Sequence, residues 1–583
     1  MLRLPLRALF LSSALVTPAV AHEGERHETA PPRTELFAPG VQHVAAGSAS
    51  PSEVQASTST VPLGGAVLVS GLGDYDLDIE APADPAASLW FDQGLGHLWG
   101  FNHAEAVRAF HRAQEIDPGC ALCFWAEAHA LGPNINDGMH PEAEARAWEA
   151  ANRAADLAAT PLERALTEAL LARYAEPGSG DRAALNQAYA EAMSGAAAQF
   201  PGNADVQAFA ADAWMVVRPW DYWEAGGETP NEVGATVLAH LEAALALAPD
   251  HPGALHLYIH AVEASADPAQ GEDEADRLAA LDLAAGHLAH MPSHIYNRIG
   301  RYADAIAVNE AAIAADEAFL ARSGGEVSQL YRYGYVPHNV HFLLVAAQSA
   351  GAAEPAVAAA DRLAAITSDE VSADLAWVQA IRTAPFTVHA QMSDAATILA
   401  LPDPGPEFPL LRGFRHYARG LAFVREGDLG AARSECAAIE AMIAKADFAD
   451  LEAQYMPARD LLGIASRIVA ARVAEAEGDG EAAVVLLEEA VAIEVTIPYM
   501  EPPYWYAPVH RTLGAVLLGQ GRAAEARDAF QAALARAPRD AWTFWGLWQA
   551  EELMGEGSRT DQARQAFHEA WLGGPERPTA DRL

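Results

Sequence analysis

Residues 90–118 read WFDQGLGHLWGFNHAEAVRAFHRAQEIDP, and residues 513–538 read LGAVLLGQGRAAEARDAFQAALARAP. Gly94, Ala106, Phe110, Ala113 and Pro118 of the first stretch keep the same spacing as Gly514, Ala526, Phe530, Ala533 and Pro538 of the second. On either side of a polar, glycine-containing break, apolar residues recur three or four apart, which is the pattern of two amphipathic helices joined by a short turn. A small residue in the first helix lets the second approach closely. A large aromatic in the second fills the gap beside it, and the proline stops the chain before another helix starts.

Weaker copies fill the interval: Leu241 with Ala244 and Pro249, Ala305 with Asn309 and Ala312, Gly420 with Ala432, Leu487 with Ala490, and Phe567 with Ala570. With Trp90 and His97, or Leu513 and Leu517, at the large positions, the unit of about 34 residues resembles the tetratricopeptide repeat. The resemblance implies an all-α fold, an α-solenoid of helical hairpins in which each hairpin buries its apolar face against the next.

Four segments follow from the change of texture along the chain. Residues 1–21, MLRLPLRALFLSSALVTPAVA, place Arg3 and Arg7 before an apolar run and end in the small-x-small Ala19-Val20-Ala21, so a secretory signal is expected, with a mature chain starting at His22. Residues 22–85, rich in Pro, Gly, Ser and Thr, are expected to be a disordered leader or linker. An N-terminal solenoid bearing a His-rich site is expected over 86–350 and a C-terminal solenoid over 351–583. The expected location is exported, periplasmic or secreted. No later apolar run approaches the roughly 20 residues that span a bilayer.

With 79 acidic residues against 37 basic, the formal net charge is −42, and Lys445 is the single lysine. Such a surface repels phosphate backbones and anionic lipid, which argues against nucleic-acid partners and electrostatic membrane binding. Phosphate loops of the GxxxxGK[ST] type and GxSxG elbows are absent from the sequence. Three cysteines are too few for a disulfide scaffold; Cys120 and Cys123 are expected as buried thiols or a local disulfide.

The concentration of imidazole between Leu255 and Phe342 is the chemical signal. His256, His260 and Glu263 stand at i, i+4 and i+7, within about 60° of one helix face. His290 and His294 flank Pro292, which ends one helix and starts the next, and His338 and His341 follow Pro337 on a third element. Imidazole plus carboxylate without thiolate suits a divalent transition metal, Zn, Cu, Fe or Mn. The candidate ligands are His256, His260, Glu263, His290, His294, His338 and His341. His287 is expected beside the ligands or exposed. Tyr258 and Tyr296 are candidate proton donors. The alternative is that the histidines are hydrogen-bonded core residues. His256-Leu-Tyr-Ile-His260 lacks the internal Glu of HExxH, so zincin-type proteolysis is not supported.

Loops expected at Gly132–His140, Val217–Asn231, Ser323–Pro337 and Ile497–Ala507 are longer than a repeat needs, and the last three are rich in Trp and Tyr. They are expected to decorate a binding face or to staple irregular hairpins. Phe101-Asn102-His103-Ala104-Glu105-Ala106, Leu131-Gly132-Pro133-Asn134-Ile135-Asn136, His290-Met-Pro-Ser-His294-Ile-Tyr296 and Pro337-His338-Asn339-Val-His341-Phe342 resemble segments of a group of exported bacterial tetratricopeptide-repeat proteins carrying an HMPSHIY-type segment. That resemblance implies a scaffold for protein or peptide partners. The histidines imply the alternative, a metal-binding protein or metalloenzyme, hydrolytic or oxidative, with its site between consecutive hairpins.

Overall fold

The computed structural model describes residues 65–72, 79, 82–323, 327–375, 377–555 and 557–583; the expected signal and most of the expected leader, His22 included, lie outside them. Helix Pro85–Trp99 starts where the Asp84 carboxylate accepts the Ala86 N–H at 2.8 Å, with Pro85 in the first turn. Helix His103–Ile116 folds back on it. The two meet where the sequence pattern places the contact: a Cβ at Gly94 would overlap the Phe110 ring, and one at Gly514 would stand 2.7 Å from Phe530. Both phenylalanines are fully buried. Hairpin after hairpin repeats this arrangement, so the protein is an all-α solenoid of tetratricopeptide-like units.

One apolar core runs from Ile79 to Ala350 and passes through the Ile313–Val388 cluster into a second large one from Phe386 to Leu583. The end of the stretch expected as leader is seated on the first hairpin. Val69 donates its N–H to Gln93 Oε1, Gln93 Nε2 donates to the Val67 carbonyl, both at 2.8 Å, and Leu72 and Ile79 are buried.

The C-terminal hairpins return to the N-terminal ones. Trp542 Nε1 donates to the Gln348 carbonyl and Leu572 N to the Ala350 carbonyl, each at 2.8 Å. Gly300, at φ 79°, ends helix Pro292–Ile299 with its backbone against Pro538, where any side chain would overlap the Pro538 carbonyl.

Pro292 separates helix Gly286–His290 from helix Pro292–Ile299, as its sequence position predicts. Ser323–Pro337, expected to be a loop, departs from that expectation. Leu330–Tyr335 is a π-helical turn running directly into helix Val336–Ser349. Tyr331, whose hydroxyl donates to Asp316 Oδ1 at 2.6 Å, and Tyr335, whose ring lies 4.6 Å from that of His287, hold this wide turn in place. Cys120 and Cys123 form a disulfide at the start of helix Ala121–Ala130, and Cys436 is free and buried.

Candidate metal centre

Four short elements and one loop bring the imidazoles together. Helix Pro252–Glu263 carries His256, His260 and Glu263; helices Gly286–His290 and Pro292–Ile299 carry His287, His290 and His294; helix Val336–Ser349 carries His338 and His341. The first of these lies tight against the first hairpin because residue 253 is glycine: a Cβ there would overlap the Trp99 indole. The approach puts the Trp99 carbonyl 2.6 Å from His256 Nδ1.

Two triads result. Ring nitrogens of His256, His260 and His287 lie within 4.8 Å of one another, and so do those of His290, His294 and His338. A point within roughly 2.8 Å of all three nitrogens therefore exists in each triad, about 0.7 Å beyond the 2.0–2.1 Å of a Zn–N bond, so the rings would draw in to hold an ion. Each triad surrounds a phenylalanine. The Phe101 ring is 4.4 Å from that of His256 and 5.4 Å from that of His287; the Phe342 ring is 4.7, 4.5 and 4.8 Å from those of His290, His294 and His338. Phe101 holds φ 54°, a costly conformation for a bulky residue, at the turn beside the first triad.

Hydrogen bonds fix which nitrogen of each ring is free. His256 Nδ1 donates to a carbonyl, and His260 Nδ1 and His294 Nδ1 donate to Oε1 and Oε2 of Glu263, both at 2.7 Å. Asn309 donates its Nδ2 to the Ala305 carbonyl, which turns its Oδ1 toward His290 Nδ1 at 2.7 Å and makes that nitrogen a donor too. With Nδ1 engaged, His256 and His260 are left with an Nε2 lone pair, which is how proteins orient imidazole for a metal. His256 Nε2, His260 Nε2 and both nitrogens of His287 have no hydrogen-bond partner although all three residues are buried. In the other triad His290 Nε2 faces His294 Nε2 at 2.8 Å, and His338 Nε2 stands 3.4 Å from the latter. The 2.8 Å contact is an N–H···N hydrogen bond, protonated His294 Nε2 donating to His290 Nε2.

The charges follow from burial and from two carboxylates. Burial, reinforced by neighbouring imidazoles, holds His256, His287, His290 and His338 well below the usual histidine range. Burial likewise lowers His260, against the opposing pull of Glu263. Burial also opposes charge on His294, yet Glu263 and Glu501 outweigh it and push its imidazole up to about 10. Burial raises Glu501, and the neighbouring Glu263 raises it further. Glu263 stays well below the carboxylate range despite burial, because His294 and its hydrogen bonds hold it ionised.

Among the predicted residues, His256, His260, His290, His294 and His338 supply the two triads. Glu263 joins them through the Nδ1–H groups of His260 and His294. His341 stands one turn away, buried, with its Nε2 unpartnered. Of the two readings of His287, beside the ligands or exposed, burial overturns exposure: it is 2 % exposed, and a ring nitrogen of it lies with those of His256 and His260. Tyr296 donates to Asp276 at 2.7 Å, away from the imidazoles, whereas Tyr499 donates to Glu263 Oε2 at 3.2 Å. Glu501, from the same distant loop, accepts from His294 Nδ1 at 3.3 Å, and no spacing rule pointed to it. It also belongs to a further set, His260, Glu263, His294 and Glu501, with one donor atom from each within 4.8 Å.

No protein-family model matches the chain, and no curated protein matches it. Among solved structures it is similar to the APC/C hetero-tetramer Cut9-Hcn1, at 13% identity over 88% of this chain and 77% of that one, TM-score 0.28. It is also similar to the human IFIT1 dimer with m7Gppp-AAAA, at 11% identity over 85% and 90%, TM-score 0.27, and to yeast Tom70, at 13% over 86% and 94%, TM-score 0.26. Similarity at this level carries nothing to the chemistry of the imidazoles.

Proposed function

We propose that this protein binds divalent transition-metal ions at the paired histidine triads, and that its helical repeats serve as the frame of a metalloenzyme. One observation carries the reading: three buried histidines, His256, His260 and His287, converge with four ring nitrogens that have no partner. An unsatisfied buried polar atom costs about 1–3 kcal/mol, so leaving several together is costly unless something coordinates them. Three imidazoles with an open position form the donor set of catalytic zinc and suit copper and iron as well. Such a metal activates bound water or binds an oxygen species, which makes the chemistry hydrolytic or oxidative. Export to the periplasm or outside the cell, suggested by residues 1–21, fits a protein that acquires its metal there.

A protein- or peptide-binding scaffold is the second reading, and the repeat architecture supports it. Among the described residues no helix is long and apolar enough to cross a membrane.

Untagged protein stripped of metal and reconstituted with Zn, Cu, Fe or Mn in turn tests the first reading. About two equivalents are expected with one of them, falling to about one in His256→Ala/His287→Ala and, separately, in His290→Ala/His338→Ala. Less than about 0.2 equivalents with every metal, at native helical content, overturns it.

A further inference from the structure

Beside the triads lies a cavity of about 130 Å³ whose lining includes His260, His287, His338 and Glu501. Its walls are aromatic: Trp220, Tyr335, Trp377, Tyr504 and Tyr506 line it. The polar tips of four of these are already engaged by other protein groups. Trp220 Nε1 donates to the Ile135 carbonyl at 2.9 Å, Tyr335 OH accepts from Asn136 Nδ2 at 3.2 Å, Tyr504 OH donates to the Tyr455 carbonyl at 3.4 Å, and Tyr506 OH pairs with Thr387. What these side chains offer the cavity is ring surface. Among the described residues no lysine or arginine lines it, so in the metal-free protein no cationic side chain there balances a carboxylate or phosphate. Its lining also includes imidazoles. The unpartnered Nε2 atoms of His260 and His341 belong to lining residues and can accept a hydrogen bond.

We infer that this cavity binds a small uncharged molecule with one aromatic ring and a hydroxyl, a phenol, its ring against Trp220, Tyr335 and Trp377 and its hydroxyl toward the imidazoles. The volume agrees, since an apolar cavity of about 150 Å³ takes up benzene. Aromatic walls favour a planar ring by stacking and edge contacts. The hydroxyl satisfies a buried nitrogen that a bare ring would leave unpaired. Its delivery to an open metal position rests on the metal reading; the preference for a neutral ring does not.

Metal-free protein is titrated with phenol, anisole and benzoate by ligand-observed NMR, with metal uptake measured separately. Phenol is expected to saturate at millimolar concentration or below, anisole to bind about tenfold more weakly for want of the donor, and benzoate not to compete. Ala380→Phe, which fills the cavity from helix Val378–Met392, is expected to weaken phenol at least tenfold without changing metal uptake. Trp377→Ala, which removes a wall, provides a second variant with the same expectation. Undetectable phenol binding, equal binding by both variants, or displacement of phenol by benzoate at equal concentration overturns the inference. Phenol binding without metal uptake leaves the cavity standing and removes the metal reading; metal uptake without phenol binding does the reverse.

Discussion

Tyr499 donates its hydroxyl to Oε2 of Glu263 at 3.2 Å, across 236 residues of chain. Two residues later Glu501 accepts from His294 at 3.3 Å, so the loop after helix Gly480–Glu494 closes over imidazoles borne by the N-terminal half. The site is therefore complete only once the solenoid has returned on itself through Trp542, Leu572 and Gly300. Its assembly depends on tertiary closure and not on any single hairpin.

Glu263→Gln leaves one oxygen where two Nδ1–H donors converge, and turns an amide NH₂ toward the other. Either His260 or His294 then loses the bond that sets its tautomer and ring angle. Metal affinity is expected to fall about 10–100-fold, with helical content unchanged. Competition against a chromophoric chelator, alongside circular dichroism, measures both. Undiminished affinity would show that Glu263 orients neither ring.

The two triads differ in the protons they hold. His290 Nε2 and His294 Nε2, 2.8 Å apart, share a proton in the metal-free protein, consistent with a His294 imidazolium whose carboxylate neighbours push it up to about 10. Below that pH a metal entering this triad displaces a proton, so its affinity rises with pH, by up to about tenfold per unit. The rings of His256, His260 and His287 are neutral at pH 7 and release none. Calorimetry of His256→Ala/His287→Ala in two buffers of different ionisation enthalpy should count about one proton released per metal, and His290→Ala/His338→Ala close to zero. Equal counts would refute the assignment.

The contacts that a local rule governs were legible in the sequence. Gly94 against Phe110 and Gly514 against Phe530 follow from helix periodicity, and Pro292 punctuates the helices where proline must. His256 and His260 share a face because four residues make about one turn. Glu501 was illegible, because nothing in a Glu-Pro-Pro loop announces a partner 207 residues away. The burial of His287 was illegible for a related reason: its neighbours, Phe101 and Tyr335, come from other hairpins, and Tyr335 sits on a π-helical turn that the spacing of Ser323–Pro337 presented as a loop.

Glycine contacts make the packing testable. Gly94→Ala forces a methyl group into the Phe110 ring and is expected to cost about 1–3 kcal/mol. Gly195 lies inside helix Arg182–Gln199 with open space where its Cβ would be. Gly195→Ala is expected to stabilise by about 0.4–1 kcal/mol, by restricting the unfolded chain. Opposite shifts in Tm verify the pair; a neutral Gly94→Ala would mean that the first hairpin is looser than its Gly–Phe contact requires.

Glu494 connects the closing loop to pH. It ends helix Gly480–Glu494, and its carboxylate accepts the N–H of Val509 at 3.3 Å from the far side of the loop, with Arg536 3.7 Å away. Burial pushes the carboxyl up to about 7, against the pull of Arg536. The folded protein thus holds this proton more tightly than the unfolded chain does. The stability contributed is complete below the ordinary carboxyl pKa of 4.5 and is lost as pH rises through about 7, with a slope of up to about 1.4 kcal/mol per unit. Glu494→Gln keeps an oxygen for Val509 and cannot ionise. The variant is expected to match wild type near pH 5 and to exceed it increasingly toward pH 8, which melting of both proteins across that range measures. A difference in Tm that stays constant with pH would show that Glu494 does not titrate there.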